Sequence, residues 1–379
     1  MTVSMDRARG CLLGQAVGDA LGAPVEGWSR QRILRQCGEV RDYLDAHQLG
    51  RLGRAHLSGL YTDDTQQALL IADVLVENRG FDPEAARRKY LDLARPAPGL
   101  PRGAHRATGG NFRAALERMA AGLPVLQTGV ASAGNGAAMR IAPIGLWYAG
   151  EPEALCDAAI QASLETHTDP RGISAAAAVA WLAGYLATQT VASPDEERAA
   201  LRGATAFAQQ AEQALARDYG LPAEGAGPAP APFSGALLLL EPLWQAPLWD
   251  VLRTIVIQAN RALPQHPITS PGDGFACASV TTAIYLALHS PSFEEAVIRA
   301  VNLGGDTDTV GAITGALAGA RWGVGAIPQR WLEGLVNREG VQCRADALCG
   351  RSKGAAGWQD LVAMEQRLSL AVQRQREAW

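Results

Sequence analysis

Two short stretches of this chain place carboxylates and hydroxyls directly before an apolar run. The first covers residues 61–65 and precedes the apolar segment 68–76, and the second covers residues 304–309. Hard divalent cations such as Mg²⁺, Mn²⁺ and Ca²⁺ take oxygen ligands, and the aspartates of the two stretches carry enough charge to neutralise two such ions. The predicted metal ligands are Thr62, Asp63, Asp64, Asp306, Asp308 and Thr309.

Each acidic stretch also has a simpler interpretation as the start of a helix. Threonine and aspartate are favoured at helix N-termini because their oxygens accept hydrogen bonds from free N–H groups and suit the helix dipole. Taken alone, residues 62–64 are better explained in this way. The pair favours a metal site, since the second stretch carries more acid than a cap requires. It also follows Gly304 and Gly305, which permit a sharp turn.

Further polar residues stand where either chemistry or a plain structural role is possible. Asp19 lies inside a predicted helix, where a carboxylate is unexpected unless it accepts hydrogen bonds or orients a ligand. Glu26 follows on a loop and, taken by itself, is most simply a solvated side chain. Residues 102–110 form a basic, glycine-rich loop that can cradle a phosphate, although a solvated turn is the better explanation of this segment taken alone.

A second glycine-rich segment, Gly134-Asn135-Gly136, predicts positive φ angles and a close approach of the backbone to another group. Arg140 comes shortly afterwards and is a candidate partner for a metal-site carboxylate or for a phosphate. His167 precedes a long alanine-rich segment. A single histidine in that place is more typical of a cap or a packing residue than of a ligand.

The elements that must position these residues are helices, because helical periodicity dominates and the alternation typical of strands is scarce. Glycines recur every fourth residue from 14 to 22 and from 311 to 319, a spacing that lets another backbone pack closely. We predict an all-α fold, a single compact domain over 1–379 with helices at varied angles and a helical, Pro-Ala-rich insertion at 194–233. Helices are predicted at 8–22, 68–76, 173–189, 235–244, 248–262, 276–289, 293–302 and 309–321.

Composition excludes several classes of protein. The net charge of −4 and the dispersed lysines and arginines argue against an extended nucleic-acid surface or an anionic membrane surface. The six cysteines lack the spacing of a zinc site or a disulfide framework, which indicates reduced thiols. The longest apolar stretch is shorter than the ~20 residues that a spanning helix needs. We expect a cytoplasmic protein and a monomer.

Five motifs in this order resemble the ADP-ribosylglycohydrolase family, over roughly residues 8–325. They are GCLLGQAVGDALGAPVEG (10–27), YTDDTQQAL (61–69), GNGAAMRIAPIGL (134–146), THTDP (166–170) and AVNLGGDTDTVGAITGALAGARWG (300–323). The resemblance implies an all-helical fold with two Mg²⁺ ions, or Mn²⁺ in their place. It also implies cleavage of the bond between ADP-ribose and an acceptor, commonly arginine.

Carried over position by position, the resemblance gives roles to individual residues. It makes the six oxygen-bearing residues named above the metal ligands, and it places Glu26 beside the metals. It puts Asn135, Gly136 and His167 in contact with ADP-ribose, and Gly103, His105 and Arg106 match the family's phosphate-side loop less closely. Ala133 stands where some members carry an aromatic residue, so that Phe275 becomes a candidate to stack on adenine.

The resemblance implies a Mg²⁺-dependent hydrolase acting on an ADP-ribosylated protein or small molecule, with arginine as the first acceptor to consider. The candidate catalytic residues are Glu26, Asp64 and Asp308. Two alternatives are a non-catalytic ADP-ribose-binding or structural relative and a two-metal phosphoesterase. The complete set of converging acids favours catalysis over a scaffold. A phosphoesterase would release phosphate or AMP instead of intact ADP-ribose.

Overall fold

The computed structural model describes residues 2–45, 49, 57–222, 232–263, 266–353 and 357–377. Every regular element within these ranges is a helix, which confirms the predicted all-α fold. The α-helices are α1 (Met5–Gly22), α2 (Arg30–Cys37), α3 (Asp63–Asn78), α4 (Pro83–Ala94), α5 (Gly110–Ala120), α6 (Val125–Thr128), α7 (Ala142–Trp147), α8 (Pro152–Leu164), α9 (Pro170–Thr188), α10 (Pro194–Tyr219), α11 (Phe233–Leu238), α12 (Leu248–Ala262), α13 (Ala276–His289), α14 (Phe293–Val301), α15 (Thr307–Trp322), α16 (Gln329–Gly334), α17 (Arg338–Gly350) and α18 (Leu361–Glu377).

Helices α1 and α15 pack against each other in opposite directions, backbone against backbone. Gly10 lies against Gly319, and Gly18 lies against Gly311. A Cβ atom added at Gly18 would stand 1.9 Å from the carbonyl oxygen of Gly311, so nothing larger than hydrogen fits there. The close packing predicted for the two glycine series is confirmed: Gly14 and Gly18 lie against Gly315 and Gly311, while Gly22 lies against Thr307. This arrangement brings the acidic N-terminus of α15 beside the C-terminal end of α1.

The alanine-rich helix α9 is almost wholly buried and contacts α7, α8, α10, α13 and α15. Its neighbour α10 opens the segment 194–233 that we predict to be an insertion. The buried face of α10 includes Leu201, Phe207 and Leu215. Residues 223–231, in the Pro-Ala-rich part of that segment, lie outside the described residues.

The structure corrects one predicted helix and adds others. The helix predicted over 235–244 is wrong, because α11 ends at Leu238 and a short 3₁₀ turn follows at Glu241–Leu243. Pro242 explains the break, since its ring lacks an N–H donor and clashes with the preceding turn of an α-helix. Helix α17 escaped prediction because its buried side includes the charged Arg344, which obscures the apolar periodicity.

The six cysteines are all free thiols, and four of them are buried, in agreement with the expectation from their spacing. None of the helices in the described ranges is both long enough and apolar enough to cross a membrane.

Candidate metal centre and active site

The two acidic stretches begin two different helices whose N-terminal ends meet. Asp63 and Asp64 form the first turn of α3, and Asp308 lies in the first turn of α15 with Asp306 at its N-cap. Glu26 joins them from the loop after α1, because α1 and α15 are antiparallel. Carboxylate oxygens of Glu26, Asp306 and Asp308 all lie within 4.8 Å of one another. The side chain of Glu26, which appears solvated from its sequence context alone, is partly buried at this site.

Backbone hydrogen bonds fix the Glu26 loop against the acidic end of α15. The Gly27 N–H donates to the carbonyl of Gly305 over 2.7 Å, and the Gly305 N–H donates to the carbonyl of Trp28 over 2.9 Å. Gly304 and Gly305 have φ angles of 80° and 83°, which L side chains rarely adopt. The glycines that precede the second acidic stretch therefore set the distance between Glu26 and the aspartates.

Asp19 holds the first acidic stretch in place. Its Oδ1 accepts hydrogen bonds from the Thr62 N–H and hydroxyl, both over 2.8 Å. Its Oδ2 accepts from the Thr65 N–H over 3.0 Å and from the Thr65 hydroxyl over 2.7 Å. We call residues 62–65 the α3 turn. The Thr62 hydroxyl lies 2.8 Å from Asp19 Oδ1 and 3.1 Å from Asp64 Oδ2, and its role as a metal ligand stays a prediction.

The sequence marks Asp19 as an unexpected helical carboxylate but does not indicate its partner. The residue is fully buried, and this burial raises its pKa to about 6 against the lowering effect of the four hydrogen bonds. Its role is structural for the site: it caps α3 from another helix. The separation of Asp19 and the α3 turn in the sequence hid this contact.

The carboxylates of the site repel one another in a buried environment. Burial, followed by the charges of Asp19 and Asp306, raises the pKa of Asp63 to about 7. Burial and neighbouring carboxylates also hold the pKa values of Asp64 and Asp308 well above their usual range. Among the described residues, the buried Oδ1 of Asp64 has no hydrogen-bond partner. A divalent cation would satisfy that atom and neutralise the excess charge, so the residues present fit the metal that the sequence implies.

Neutral side chains hold the outer aspartates. Gln67 Nε2 donates to Asp63 Oδ2 over 2.9 Å, and Asn135 Nδ2 donates to Asp306 Oδ2 over 2.8 Å. The Thr309 N–H donates to Asp308 Oδ1 over 3.0 Å. Asn135, which we predicted to contact the substrate, thus has a direct bond to a candidate metal ligand. Such outer contacts orient the ligands.

The segment around Asn135 packs against His167. A Cβ atom added at Gly136 would lie 3.2 Å from Cε1 of the imidazole, which explains the glycine. The positive φ angles predicted for Gly134 and Gly136 are wrong, since neither residue lies in the left-handed region. Burial, with Arg140 nearby, lowers the pKa of His167 to about 3, and its Nδ1 lies 2.8 Å from the Thr166 hydroxyl.

Arg140 does not take the role suggested by its position in the sequence. We considered it a partner for a carboxylate of the site or a phosphate. Instead, its buried guanidinium donates to Gln67 Oε1 over 2.6 Å, to the Ala162 carbonyl over 3.2 Å and to the Thr166 hydroxyl. It therefore ties α3 to the turn that carries His167.

The predicted phosphate-side loop is held by contacts of its own. His105 Nε2 lies 2.9 Å from the Tyr90 carbonyl oxygen, and burial lowers the pKa of this imidazole to about 4. Arg106 forms an ion pair with Glu365. Gly103 has a φ of 76° and lies against the backbone of α4. The loop's role in binding a phosphate stays a prediction.

Phe275 precedes α13 and adjoins the Asn135 segment, where Gly134 and Phe275 form an isolated bridge. Its ring is 6% exposed, with the guanidinium carbon of Arg171 5.4 Å from the ring centroid. The predicted stacking of Phe275 on adenine stays a prediction. The structure thus brings together the acids, Thr62, Thr309 and Asn135. His105 and Arg106 instead contact Tyr90 of α4 and Glu365 of α18.

The chain was compared with known proteins. The sequence profile of the ADP-ribosylglycohydrolase family matches residues 1–357. An uncharacterised protein of Archaeoglobus fulgidus is 32% identical over 341 residues, which cover 88% of this chain and 93% of the relative. ADP-ribosylhydrolase ARH3 of Bos taurus is 28% identical over 362 residues, with coverage of 91% and 93%. A solved structure titled "ADP-ribosylglycohydrolase-related protein complex" superposes with a TM-score of 0.61 at 35% identity, covering 92% of this chain and 98% of that one. The chain therefore belongs to the ADP-ribosylglycohydrolase family, whose metal-dependent enzymes remove ADP-ribose by hydrolysis.

Proposed function

We propose that this protein is a Mg²⁺-dependent hydrolase that removes ADP-ribose from arginine side chains of proteins. The observation that carries the proposal is the convergence of the Glu26, Asp306 and Asp308 carboxylates beside the α3 turn. Family membership supports the reaction class. The choice of metal and acceptor rests on the chemistry of the site.

The residues proposed to hold two divalent cations are oxygen donors throughout, as Mg²⁺ or Mn²⁺ requires. When bound, the cations would supply Lewis acidity and orient the hydroxyls of the terminal ribose. Asp64 Oδ1 lacks a hydrogen-bond partner within the part of the chain that the structure describes, and the buried aspartates have raised pKa values, which supports their assignment as ligands. The proposed ligands are Thr62, Asp63, Asp64, Asp306, Asp308 and Thr309.

Hydrolysis breaks the bond between C1″ of the terminal ribose and the acceptor nitrogen, and a water oxygen forms the new bond to C1″. The positive charge that develops on the sugar ring is stabilised by nearby carboxylates, as in other glycoside hydrolyses. One carboxylate must accept a proton from the attacking water, and a proton must reach the leaving guanidine nitrogen. Glu26 and Asp64 are the proposed carriers of these protons, since they approach the site from the α1 and α3 sides.

Arginine is the proposed acceptor because a guanidinium group is a cation and the site is strongly acidic. The charges that raise the pKa of Asp63 are those of Asp19 and Asp306, and Arg106 is the basic neighbour that opposes them. Two divalent cations would balance the four aspartates, which leaves the carboxylate of Glu26 to attract a cationic acceptor and to stabilise the protonated leaving group. A serine-linked substrate lacks this charge.

The acceptor is tested by incubating the purified protein, in Mg²⁺, with peptides carrying ADP-ribose on arginine or on serine, and separating the products by chromatography. We expect intact ADP-ribose from the arginine-linked peptide at a rate at least about ten times that from the serine-linked peptide, which corresponds to ~1.4 kcal/mol of discrimination. Equal rates, or faster release from serine, would contradict the arginine assignment. Binding without release would indicate a non-catalytic protein.

A further inference from the structure

A glutamate of the last helix contacts the residues that flank the α3 turn. Glu365 lies in the second turn of α18 and is fully buried. Its Oε1 accepts a hydrogen bond from the Tyr61 hydroxyl over 2.7 Å. Its Oε2 accepts from Gln66 Nε2 over 2.9 Å and from Arg106 Nη1 over 2.6 Å. Tyr61 and Gln66 are the residues immediately before and after the α3 turn, so one carboxylate holds both of its ends.

A neighbouring residue of α18 completes this attachment. Ser369 follows Glu365 by one helical turn, and its hydroxyl donates to the Ala104 carbonyl over 2.6 Å. The same hydroxyl accepts from Arg106 Nη1 over 3.2 Å. The Arg106 guanidinium is thereby held in its ion pair with Glu365. Without the Glu365 charge, this arginine would be an uncompensated cation near Asp63 and would compete with a metal ion.

Two buried carboxylates, one on α1 and one on α18, therefore hold the α3 turn and its flanking residues through hydrogen bonds. Asp19 of α1 binds the N–H and hydroxyl groups of Thr62 and Thr65, and Glu365 of α18 binds Tyr61 and Gln66. Helix α18 starts at Leu361, beyond residue 357, where the family profile ends. Glu365 therefore belongs to a part of the chain outside that profile.

We propose that Glu365 is a positioning residue for the cation site: from α18 it fixes both ends of the α3 turn and restrains Arg106, so that Asp63 and Asp64 keep the spacing that a divalent cation needs. Glu365 contacts neither substrate nor metal in this role. The inference rests on the proposed function for the presence of a cation at these aspartates.

The test is the affinity of the full chain for Mn²⁺, measured from the electron paramagnetic resonance signal of free Mn²⁺. In Glu365→Gln, one acceptor oxygen becomes an NH₂ donor, which faces either the Tyr61 hydroxyl or the donors of Gln66 and Arg106. We expect the Mn²⁺ dissociation constant to rise about 10-fold or more, as for loss of other groups that orient metal ligands. Tyr61→Phe removes the hydrogen bond that the hydroxyl donates to Glu365 and the one that it accepts from Asn337, and it keeps the buried ring. It is expected to raise the dissociation constant by less than Glu365→Gln does.

Glu212→Gln is the matched control. Glu212 is also a buried glutamate with full hydrogen bonding, but its partners are Ser174 on α9 and Ser234 on α11. Its replacement perturbs a comparable network and is expected to leave the Mn²⁺ affinity unchanged. Unchanged affinity in Glu365→Gln and Tyr61→Phe, or an equal loss in the control, would overturn the positioning role while the proposed function stands. Absence of Mn²⁺ binding in the wild-type chain would overturn both.

Discussion

Replacing Asp308 with asparagine is expected to lower the rate of ADP-ribose release at least about 100-fold, since even outer-shell partners of metal ligands contribute about 10- to 100-fold. The change removes a charged oxygen donor from the centre of the acidic cluster. The unfolding temperature of the metal-free protein should stay the same or rise, because Asp308 is buried against the like charges of Asp306 and Asp64. Initial rates and thermal unfolding with and without Mg²⁺ measure both effects.

Asp73→Asn is the control, since it is expected to lower the unfolding temperature and to leave the activity unchanged. Asp73 is buried in α3 and paired with Arg344, with Nε–Oδ1 and Nη2–Oδ2 distances of 2.8 and 3.2 Å. Breaking a buried ion pair costs about 3–5 kcal/mol, so this variant should unfold at a lower temperature and keep its activity per folded molecule. Full activity of Asp308→Asn in excess Mg²⁺ would contradict the assignment of Asp308 as a ligand.

Replacing Gly18 with alanine is expected to disrupt the α1–α15 contact. The new methyl group would stand 1.9 Å from the Gly311 carbonyl oxygen, so that the two helices must move apart. Overpacking of this kind costs about 1–3 kcal/mol or more, and it exceeds the gain in helix propensity of up to about 1 kcal/mol. Thermal unfolding measures the loss of stability. Activity should fall as well, because Glu26 lies on the loop that follows α1 and Asp308 lies in the first turn of α15.

Gly350→Ala is the control for this substitution. Gly350 is the last residue of α17, and a Cβ atom added there meets no atom of the described residues within 4 Å. The variant should be as stable as the wild-type protein or slightly more stable. If Gly18→Ala and Gly350→Ala unfold at the same temperature, the α1–α15 contact is less tight than described.

The candidate ligands and the helices that carry them could be proposed from the sequence because both are local patterns. Each acidic stretch directly precedes an apolar helix, and the two glycine series are visible as four-residue repeats. Glu26 required the family resemblance, since a lone glutamate on a loop has no local signal. The structure places it there through the Gly27–Gly305 backbone bond, which joins segments far apart in the chain.

Contacts between distant segments could not be predicted from one sequence. Asp19 stands out in the sequence only because a carboxylate is rare inside a buried helix. The sequence does not indicate its hydrogen bonds to the α3 turn. Arg106 lies in a loop whose basic, glycine-rich composition suits phosphate binding, yet it forms an ion pair with Glu365 of α18. In each case the residue type indicated that the side chain needs a partner. The identity of that partner could not be predicted, because it depends on how the helices pack.

The measurement that tests the central claim most directly is product analysis of one ADP-ribosylated arginine substrate in Mg²⁺, in excess EDTA, and after Mg²⁺ is restored. The converging carboxylates beside the α3 turn predict intact ADP-ribose in Mg²⁺, its loss in EDTA and its return with added Mg²⁺. Equal release in EDTA, or AMP and phosphate as the products, would contradict a metal-dependent ADP-ribosyl hydrolase.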